Sequence, residues 1–353
     1  MIAIKTFSKE HVDENIKLGA SEYTSQEVLN KEHLIWKHIL PPAGPSKFIG
    51  EYSAEGALTG RIFLQRRNFY LKDNLSATGA TATDLLIDPK CRVASSFIAI
   101  TRSIKSPEEI DIIFHTSNEN SDIFYRNLFK FPVRFSLTAL GLPVDIYEMV
   151  KSKWPNLSAI KALKILSIPY KTLLVILGEI LTNFTKINFS NEPIDQENIF
   201  SQFKKRAGPH FERSKEFNYW RFNSGPIFNG AVYWAWKGKE CLGYLVFKKT
   251  ELKHINFYVL MDIIFIRDLG RLEKICIKFL MVKIAIQNNC DALFMMVNLK
   301  NSSLNWLKGA PFFKIPDRCL PHATPIFIHT KLPENMLHKY ENIFFTLADL
   351  DYF

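Results

Sequence analysis

Cysteine and glycine are both scarce in this chain, and each shortage excludes a class of protein. The 353 residues include only five cysteines and 15 glycines. A fibrous or low-complexity chain would need far more glycine. The cysteines form no CxxC pair or Cys/His cluster, so neither a disulfide framework nor a structural zinc site is expected. They are Cys91, Cys241, Cys276, Cys290 and Cys319. The sequence therefore predicts a reduced protein of the cytoplasm.

Sequence signatures of several enzyme classes are missing as well. The chain contains no Walker-type phosphate loop, no His-x-x-x-His pair and no recognisable Ser/His/Asp set. Hydrolase and nucleoside-triphosphatase functions therefore lack support, and no metal site is predicted.

Long uninterrupted apolar runs are absent too. Residues 1–7 are too few for a signal peptide and predict a strand. The most apolar stretch, residues 162–184, is interrupted by two lysines, a proline and a glutamate, so a membrane-spanning helix is not expected. We interpret residues 141–190 as a helical connector packed on the domains. The alternative is that residues 158–188 lie along a membrane surface, which would make the protein peripheral to the inner membrane.

Positive charge is in excess, but it is thinly spread. Forty-five Lys and Arg residues against 35 Asp and Glu residues give a formal net charge of +10. Residues 141–190 contribute +3 and residues 191–353 contribute +6, and the basic residues form only short clusters such as residues 204–206. Nucleic-acid binders carry a denser basic stripe with interleaved aromatics, so DNA is not an expected partner. A small anionic ligand fits this charge better.

Hydrophobic periodicity predicts an α/β (α+β) fold in two domains. The length and the 47% hydrophobic content suffice for two cores. Residues 1–140 alternate as strand, two helices, three strands, helix, strand, helix and strand. A similar order returns over residues 191–353. The sequence therefore predicts an N-terminal module (1–140), a helical connector (141–190) and a C-terminal module (191–353).

Segments of the first module carry a resemblance to a known family. Residues 83–92 have the sequence Thr-Asp-Leu-Leu-Ile-Asp-Pro-Lys-Cys-Arg, and residues 93–97 have Val-Ala-Ser-Ser-Phe. They resemble the fourth strand, the Pro-x-x-Arg turn and the phosphate-binding loop of the GNAT acyltransferase superfamily. Residues 117–125 resemble its Asn-started helix with a tyrosine. Because the order of elements is repeated, the chain resembles bacterial tandem GNAT proteins. The resemblance implies two GNAT-like modules, each with a mixed, mostly antiparallel sheet flanked by helices.

The resemblance also implies a site, whose residue types suit acyl transfer. A thioester donor needs a strand with free backbone groups for its pantetheine arm and helix N–H groups for its pyrophosphate. An acid for the leaving thiolate and a base for the incoming ammonium complete the reaction. By this resemblance Tyr125 is the acid, and Asp84, acting through water, is the base. The residues implied to bind acyl-CoA are Leu85, Leu86, Ile87, Arg92, Ser95, Ser96 and Asn118.

Both modules depart from the family pattern. In the first, Arg92 is kept, but Ser95 and Phe97 stand where a glycine and a small residue are expected. Phe97 is expected to crowd the phosphates. In the second, residues 267–270 restore an Arg-x-x-Gly segment, yet Leu272 follows it.

Three segments of the second module, residues 213–222, 261–264 and 346–351, resemble the corresponding segments of tandem family members. Asp262 lies in the second of them between apolar neighbours. Burying a carboxylate without a partner is costly, so we expect Asp262 to meet an arginine or a backbone N–H.

Three functions remain open from the sequence. The first is an acyl-CoA-dependent N-acyltransferase, in the simplest case using acetyl-CoA, acting on the amine of a small molecule or of a sugar in a cell-envelope polysaccharide precursor. The second is an aminoacyl transferase that carries an amino acid from charged tRNA to a peptidoglycan precursor. The third is a degenerate GNAT-like binding protein without catalysis. The acceptor, the acyl length, the active module and the oligomeric state are not predicted.

Overall fold

The computed structural model describes most of the chain. The described residues are 1–22, 29–71, 75–105, 107–117, 119–153, 160–192, 196–228, 230–252, 254–317, 320, 325–333 and 340–350. Asn118, one of the predicted acyl-CoA ligands, lies outside these ranges.

Strands and helices alternate along the chain much as the periodicity predicts. The strands are β1 (Ile2–Thr6), β2 (Lys47–Tyr52), β3 (Leu58–Tyr70), β4 (Ser76–Ile87), β5 (Ile112–Thr116), β6 (Val133–Ser136), β7 (Thr138–Pro143), β8 (Ile187–Ser190), β9 (His210–Phe211), β10 (Gly230–Lys237), β11 (Glu240–Leu252), β12 (Ile255–Phe265), β13 (Ala292–Val297), β14 (Phe313–Lys314) and β15 (Pro325–Thr330). The helices are α1 (Val12–Gly19), α2 (Lys31–His38), α3 (Ala94–Ser103), α4 (Glu119–Ile123), α5 (Ile146–Lys153), α6 (Ile160–Thr185), α7 (Gln196–Lys204), α8 (Lys215–Phe222) and α9 (Arg271–Gln287). A π-helical turn, Phe124–Leu128, continues α4.

The strands form two sheets with the same internal order. The first runs β1-β2-β3-β4-β5-β15-β6, with β9 paired to the end of β3, and the second runs β8-β10-β11-β12-β13-β7-β14. In the first sheet β4 and β5 are parallel, and in the second β12 and β13 are parallel. The remaining neighbours are antiparallel. The predicted mixed, mostly antiparallel α/β architecture is confirmed.

In each sheet, a strand from the other half of the chain lies between two of the sheet's own strands. Strand β15 lies between β5 and β6, with Phe327 opposite His115. Strand β7 lies between β13 and β14, with Leu140 opposite Met295. The sheets therefore do not follow the predicted boundaries at 140 and 191. The single strand predicted over 133–140 is two strands, because the chain crosses from one sheet to the other at Leu137.

Helices cover both faces of the first sheet. Because side chains alternate along a strand, Phe63 of β3 packs on Val12 of α1 and Leu34 of α2, on one face. Its neighbour Leu64 packs on the opposite face, in a cluster with Ile100 of α3.

The largest hydrophobic cluster joins the two sheets. It includes Phe114 of β5 and Leu260 of β12, which lie on different sheets. Helices α2 and α8 meet through Trp36 and Trp220, whose ring centroids are 5.4 Å apart. Each indole Nε1 donates to the other residue's carbonyl oxygen, at 2.8 and 2.9 Å.

Helix α6 is the long helix of the predicted connector. It runs for 26 residues and continues through Pro169. One side packs on α9, where Thr185 Oγ1 donates to Cys276 Sγ at 3.2 Å and Glu179 pairs with Lys283. Its segment Leu163–Thr185 is long and apolar enough to cross a membrane by length and composition alone.

Candidate functional site

Strands β4 and β5 separate just before a β-bulge that interrupts the pairing of β4 with β3. They pair only from Gly79–Thr81 to Ile112–Phe114, and β4 then continues to Ile87 without a strand on that side among the described residues. The register of β4 against β3 shifts just after Thr83. Asp84, at the shift, has a φ of +52°. Such bulges turn backbone groups away from the ladder, so this edge of β4 is open for a ligand's amides.

The carboxylate of Asp84 is held by helix α2. Lys37 Nζ lies 3.0 Å from Oδ1, and His38 Nε2 lies 2.9 Å from Oδ2. Burial opposes ionisation of Asp84, but Lys37 and His38 outweigh it and hold its pKa well below the ordinary value. Burial lowers the pKa of His38 itself to about 4. Asp84 is therefore ionised and a weak base, which argues against its predicted role.

The predicted phosphate loop forms a helix start that is open to solvent. After β4, Asp88 Oδ1 accepts from Lys90 N at 2.9 Å and turns the chain toward α3. Among the described residues, no side chain accepts a hydrogen bond at the N-terminus of α3. Arg92, 51% exposed, lies beside it, donating to Glu22 Oε2 at 2.8 Å and to Ile87 O at 3.1 Å. Ser95 is exposed, whereas Ser96 is buried. The free N–H groups and the arginine suit an anion.

Tyr125 lies inside an aromatic cluster instead of on the open edge of β4. Its side chain is only 2% exposed, and its ring lies 4.7 Å from that of His115. Burial raises its pKa to about 12. Phe97 of α3 packs against the π-helical turn. Its ring centroid lies 5.1 Å from that of Phe124 and 5.9 Å from that of Tyr125. The structure therefore brings Leu85–Ile87 near the helix start, while Phe97 and its neighbours enclose the predicted acid.

The equivalent helix start in the second sheet is already occupied. Gly270 N donates to Glu273 Oε2 at 2.8 Å, and Arg267 makes two hydrogen bonds of 2.9 and 3.0 Å to the same carboxylate. The Arg267 hydrogen bonds hold the pKa of Glu273 well below its ordinary value. A carboxylate of the protein thus takes the place in which a phosphate would bind.

The space beside this second helix start is also small. A cavity lined by Phe265, Leu269 and Trp306 has a volume of about 20 Å³, which is room for one water molecule. The first sheet is therefore the better candidate for a pantetheine-bearing ligand.

A buried charge network joins the two sheets, and the sequence analysis found only part of it. As expected, Asp262 meets an arginine: Arg213 Nε donates to its Oδ2 at 2.7 Å. Arg213 also reaches Asp349 at 2.8 Å, and Asp349 binds Arg67 of β3 at 3.1 Å. The carbonyl oxygen of Asp349 accepts from Thr81, where β4 leaves β5. Paired arginines in the apolar strand β3 are the signal that could have revealed this contact.

Several solved structures have a similar architecture. A GCN5-related N-acetyltransferase from Anabaena variabilis matches 94% of this chain and 73% of its own, with a TM-score of 0.58 and 11% identity. A probable N-acyltransferase of Enterococcus faecalis matches 96% and 74%, with a TM-score of 0.56 and 10% identity.

The N-myristoyltransferase of Saccharomyces cerevisiae with bound myristoyl-CoA matches 94% of this chain and 83% of its own, with a TM-score of 0.53 and 11% identity. The chain has the GNAT fold. No family model matches this GNAT-fold chain, and no curated protein matches it in sequence. The fold is thus shared with these proteins where sequence similarity is almost lost.

Proposed function

We propose that this protein is an acyl-CoA-dependent N-acyltransferase whose donor binds at the first sheet. One observation carries the proposal: the bulged, open edge of β4 leads directly into the open N-terminus of α3. The corresponding helix start in the second sheet is blocked by Glu273. The two halves of the chain therefore provide one donor site.

In this proposal the pantetheine arm of acyl-CoA runs along β4 beside Leu85, Leu86 and Ile87. The pyrophosphate binds the first N–H groups of α3, at Ser95 and Ser96, where helix partial charge and backbone donors favour an anion. Arg92 adds a positive charge next to them.

Positioning and backbone hydrogen bonds supply most of the catalysis. The amine attacks the thioester carbonyl, the C–S bond breaks, and the thiolate takes a proton from water and leaves as the free thiol. An N–H at the bulge, turned away from the ladder, would stabilise the oxyanion. Asp84 holds the bulge through Lys37 and His38 rather than taking the proton, and the amine loses its proton to water. Tyr125, with a pKa of about 12, is protonated at neutral pH and would donate only if the cluster around Phe97 rearranges.

The acceptor in this proposal is a small-molecule amine or a sugar amine of a cell-envelope polysaccharide precursor, as the family resemblance suggests. The acyl group is left open between acetyl and longer chains. The myristoyl-CoA complex of the yeast relative is the reason to test both.

Calorimetric titration with acetyl-CoA, longer acyl-CoAs and free CoA tests the donor site. Arg92→Gln is expected to weaken binding about five- to tenfold, because losing one exposed charge-assisted contact costs about 1 kcal/mol. Arg102→Gln is the matched control, since it removes the same charge from the other end of α3. Absence of heat with every acyl-CoA at millimolar concentration, or equal weakening by both variants, contradicts the proposal.

One observation favours the non-catalytic alternative. Phe97 and Tyr125 pack together in the region where an acid would have to reach the thiolate. A binding protein would keep its cellular function in a combined Arg92→Ala and Tyr125→Phe variant, whereas an acyltransferase using this site would lose it.

A further inference from the structure

A band of large apolar side chains lies exposed along one side of α6. At about 100° per residue, its members fall within a sector of about 160°. They are Ile165 (73% exposed), Leu166 (62%), Ile168 (66%), Leu173 (54%), Ile176 (49%), Ile180 (46%) and Phe184 (80%). Contiguous exposed apolar surface of this kind marks an interaction site. We call it the α6 band.

The opposite side of the same helix is fixed to the protein. Ser167, Leu174 and Thr185 are buried there. A Cβ added at Gly178 would lie 3.6 Å from the carbonyl oxygen of Phe279 in α9. The helix is thus held along its length with the α6 band turned outward.

Charges around the α6 band are positive or neutralised. The one acid of the helix, Glu179, is exposed within the same sector and is paired with Lys283. Lys171 is paired with Asp145, and the exposed Lys164 lies over the ring of Tyr147. Residues 141–190 carry a net charge of +3. This pattern complements an anionic surface.

We propose that α6 docks the protein flat on the surface of an anionic lipid bilayer. The α6 band enters the interface by about 5–10 Å, and the flanking lysines stay at the headgroups. Because the other side of the helix is packed on α9, the helix lies along the membrane instead of crossing it.

The size of the α6 band argues against a second copy of the chain as its occupant. Twenty residues of helix are about 30 Å long and a helix is about 10 Å wide, which gives about 300 Å². A stable dimer needs about 800 Å² from each partner. A lipid surface has no such minimum, because each apolar side chain partitions separately.

Vesicle flotation tests the docking. The full chain is expected to float with phosphatidylcholine vesicles that contain phosphatidylglycerol, less with phosphatidylcholine alone, and less again at high salt. Ile168→Ser with Phe184→Ser is expected to weaken binding at least tenfold. The matched control is Leu75→Ser with Leu252→Ser, which removes exposed apolar side chains elsewhere. Unchanged thermal unfolding verifies that both double variants fold.

The proposal would be overturned if the chain floats with neither kind of vesicle, or if both double variants bind equally. It would also be overturned if the bound protein resists extraction by alkaline carbonate, because that would indicate a spanning helix. A stable dimer that the α6 variants dissociate would also refute it by assigning the α6 band to a second copy.

A separate observation, a basic cavity on the first sheet, carries a second inference. Its volume is about 430 Å³, and the cationic side chains that line it are Lys105, Lys130, Arg134 and Lys331. None of these four forms an ion pair with another described residue. Lys331 Nζ donates to the carbonyl oxygen of Pro107 at 2.8 Å, and the charged groups of Lys105 and Arg134 lie over the rings of Phe131 and Tyr340. The acid in the lining, Asp111, accepts from Thr78 N.

Buried polar atoms of the cavity lining also lack partners. Arg134 Nε and His329 Nε2 are both buried without a hydrogen bond, and burying such groups alone is costly. Cavities lined by one sign of charge concentrate ions of the opposite sign. We infer that this cavity binds a small phosphorylated molecule.

Titration with inorganic pyrophosphate tests the second inference. Arg134→Gln with Lys331→Gln is expected to weaken pyrophosphate binding at least tenfold, whereas Lys9→Gln with Lys314→Gln, equal in charge change, should leave it unchanged. Binding that survives the cavity variant but is lost in Arg92→Gln would refute the inference, because it places the pyrophosphate at α3. Absence of binding at millimolar pyrophosphate would refute it as well.

Discussion

Replacing Asp349 by asparagine tests whether the buried charge network holds the two sheets together. Asp349 is 1% exposed and accepts hydrogen bonds from Arg67 at 3.1 Å, Arg213 at 2.8 Å and Thr346 N at 3.0 Å. Asparagine keeps the size of the side chain and removes its charge. Arg67 and Arg213, which contact Asp349, would then have one buried carboxylate, that of Asp262, to balance their charges.

The size of the effect follows from this loss of compensation. Breaking a buried ion pair from one side costs about 3–5 kcal/mol, mainly because the partner remains buried and charged. The amide oxygen of the substituted asparagine can still accept one of the bonds. We therefore expect Asp349→Asn to lower the free energy of unfolding by about 3 kcal/mol.

Urea unfolding followed by tryptophan fluorescence measures this change. Asp268→Asn is the control, because Asp268 is also paired with an arginine, Arg206, but is 94% exposed. Exposed pairs contribute at most about 1 kcal/mol. If the two variants unfold at the same urea concentration, the buried network does not stabilise the protein more than an exposed ion pair does.

Three further predictions rest on single positions. Gly243→Ala should destabilise far more than Gly238→Ala, by urea unfolding, because a Cβ at Gly243 would lie 2.0 Å from a carbonyl oxygen of the next strand, whereas at Gly238 it meets nothing within 4 Å. Burial lowers the pKa of His38 to about 4. The unfolded chain therefore binds its proton first, and stability is lost as pH falls from about 6.5 to about 4, by up to about 1.4 kcal/mol per pH unit. A His38→Gln variant should show a smaller difference between urea midpoints at neutral and acidic pH. Trp36→Phe should cost about 1 kcal/mol, measured by urea unfolding against Trp306→Phe. It removes the buried hydrogen bond from Trp36 Nε1 to the carbonyl of Trp220 and leaves that oxygen with the Ser224 hydroxyl as its remaining side-chain donor.

Local patterns were sufficient to predict most elements but not their partners. The sequence predicts strands over residues 230–237, 256–265 and 292–297, and β10, β12 and β13 begin and end within one residue of these ranges. Alternation and turn residues are local signals, which is why these bounds are predictable. The exchange of β7 and β15 leaves no such signal. Both strands are apolar and would be buried equally well in either sheet, so periodicity cannot assign them.

In the candidate site, too, the features set by neighbouring residues were predictable from the sequence, and those set by distant residues were not. The open helix start at Ser95 and Ser96 could be predicted from residues next to each other in sequence. The ion pairs of Asp84 could not, because Lys37 and His38 lie more than 45 residues away. The occupied start of α9 was predictable in principle, since a glutamate three residues after the N-cap indicates a capping box.

The difference between the two helix starts gives the second sheet a structural role. Its helix start at Gly270 is filled by Glu273, yet Arg213 and Asp262 hold the segment Thr346–Leu350 against the first sheet. That segment reaches Thr81, where β4 leaves β5. Strand β15 also joins the first sheet, next to β5. The second half of the chain therefore contacts the first sheet at β4, through Asp349, and at β5, through β15. A substitution in the second half, such as Asp262→Asn, should therefore change acyl-CoA binding at the first sheet, although Asp262 itself lies in β12 of the second sheet.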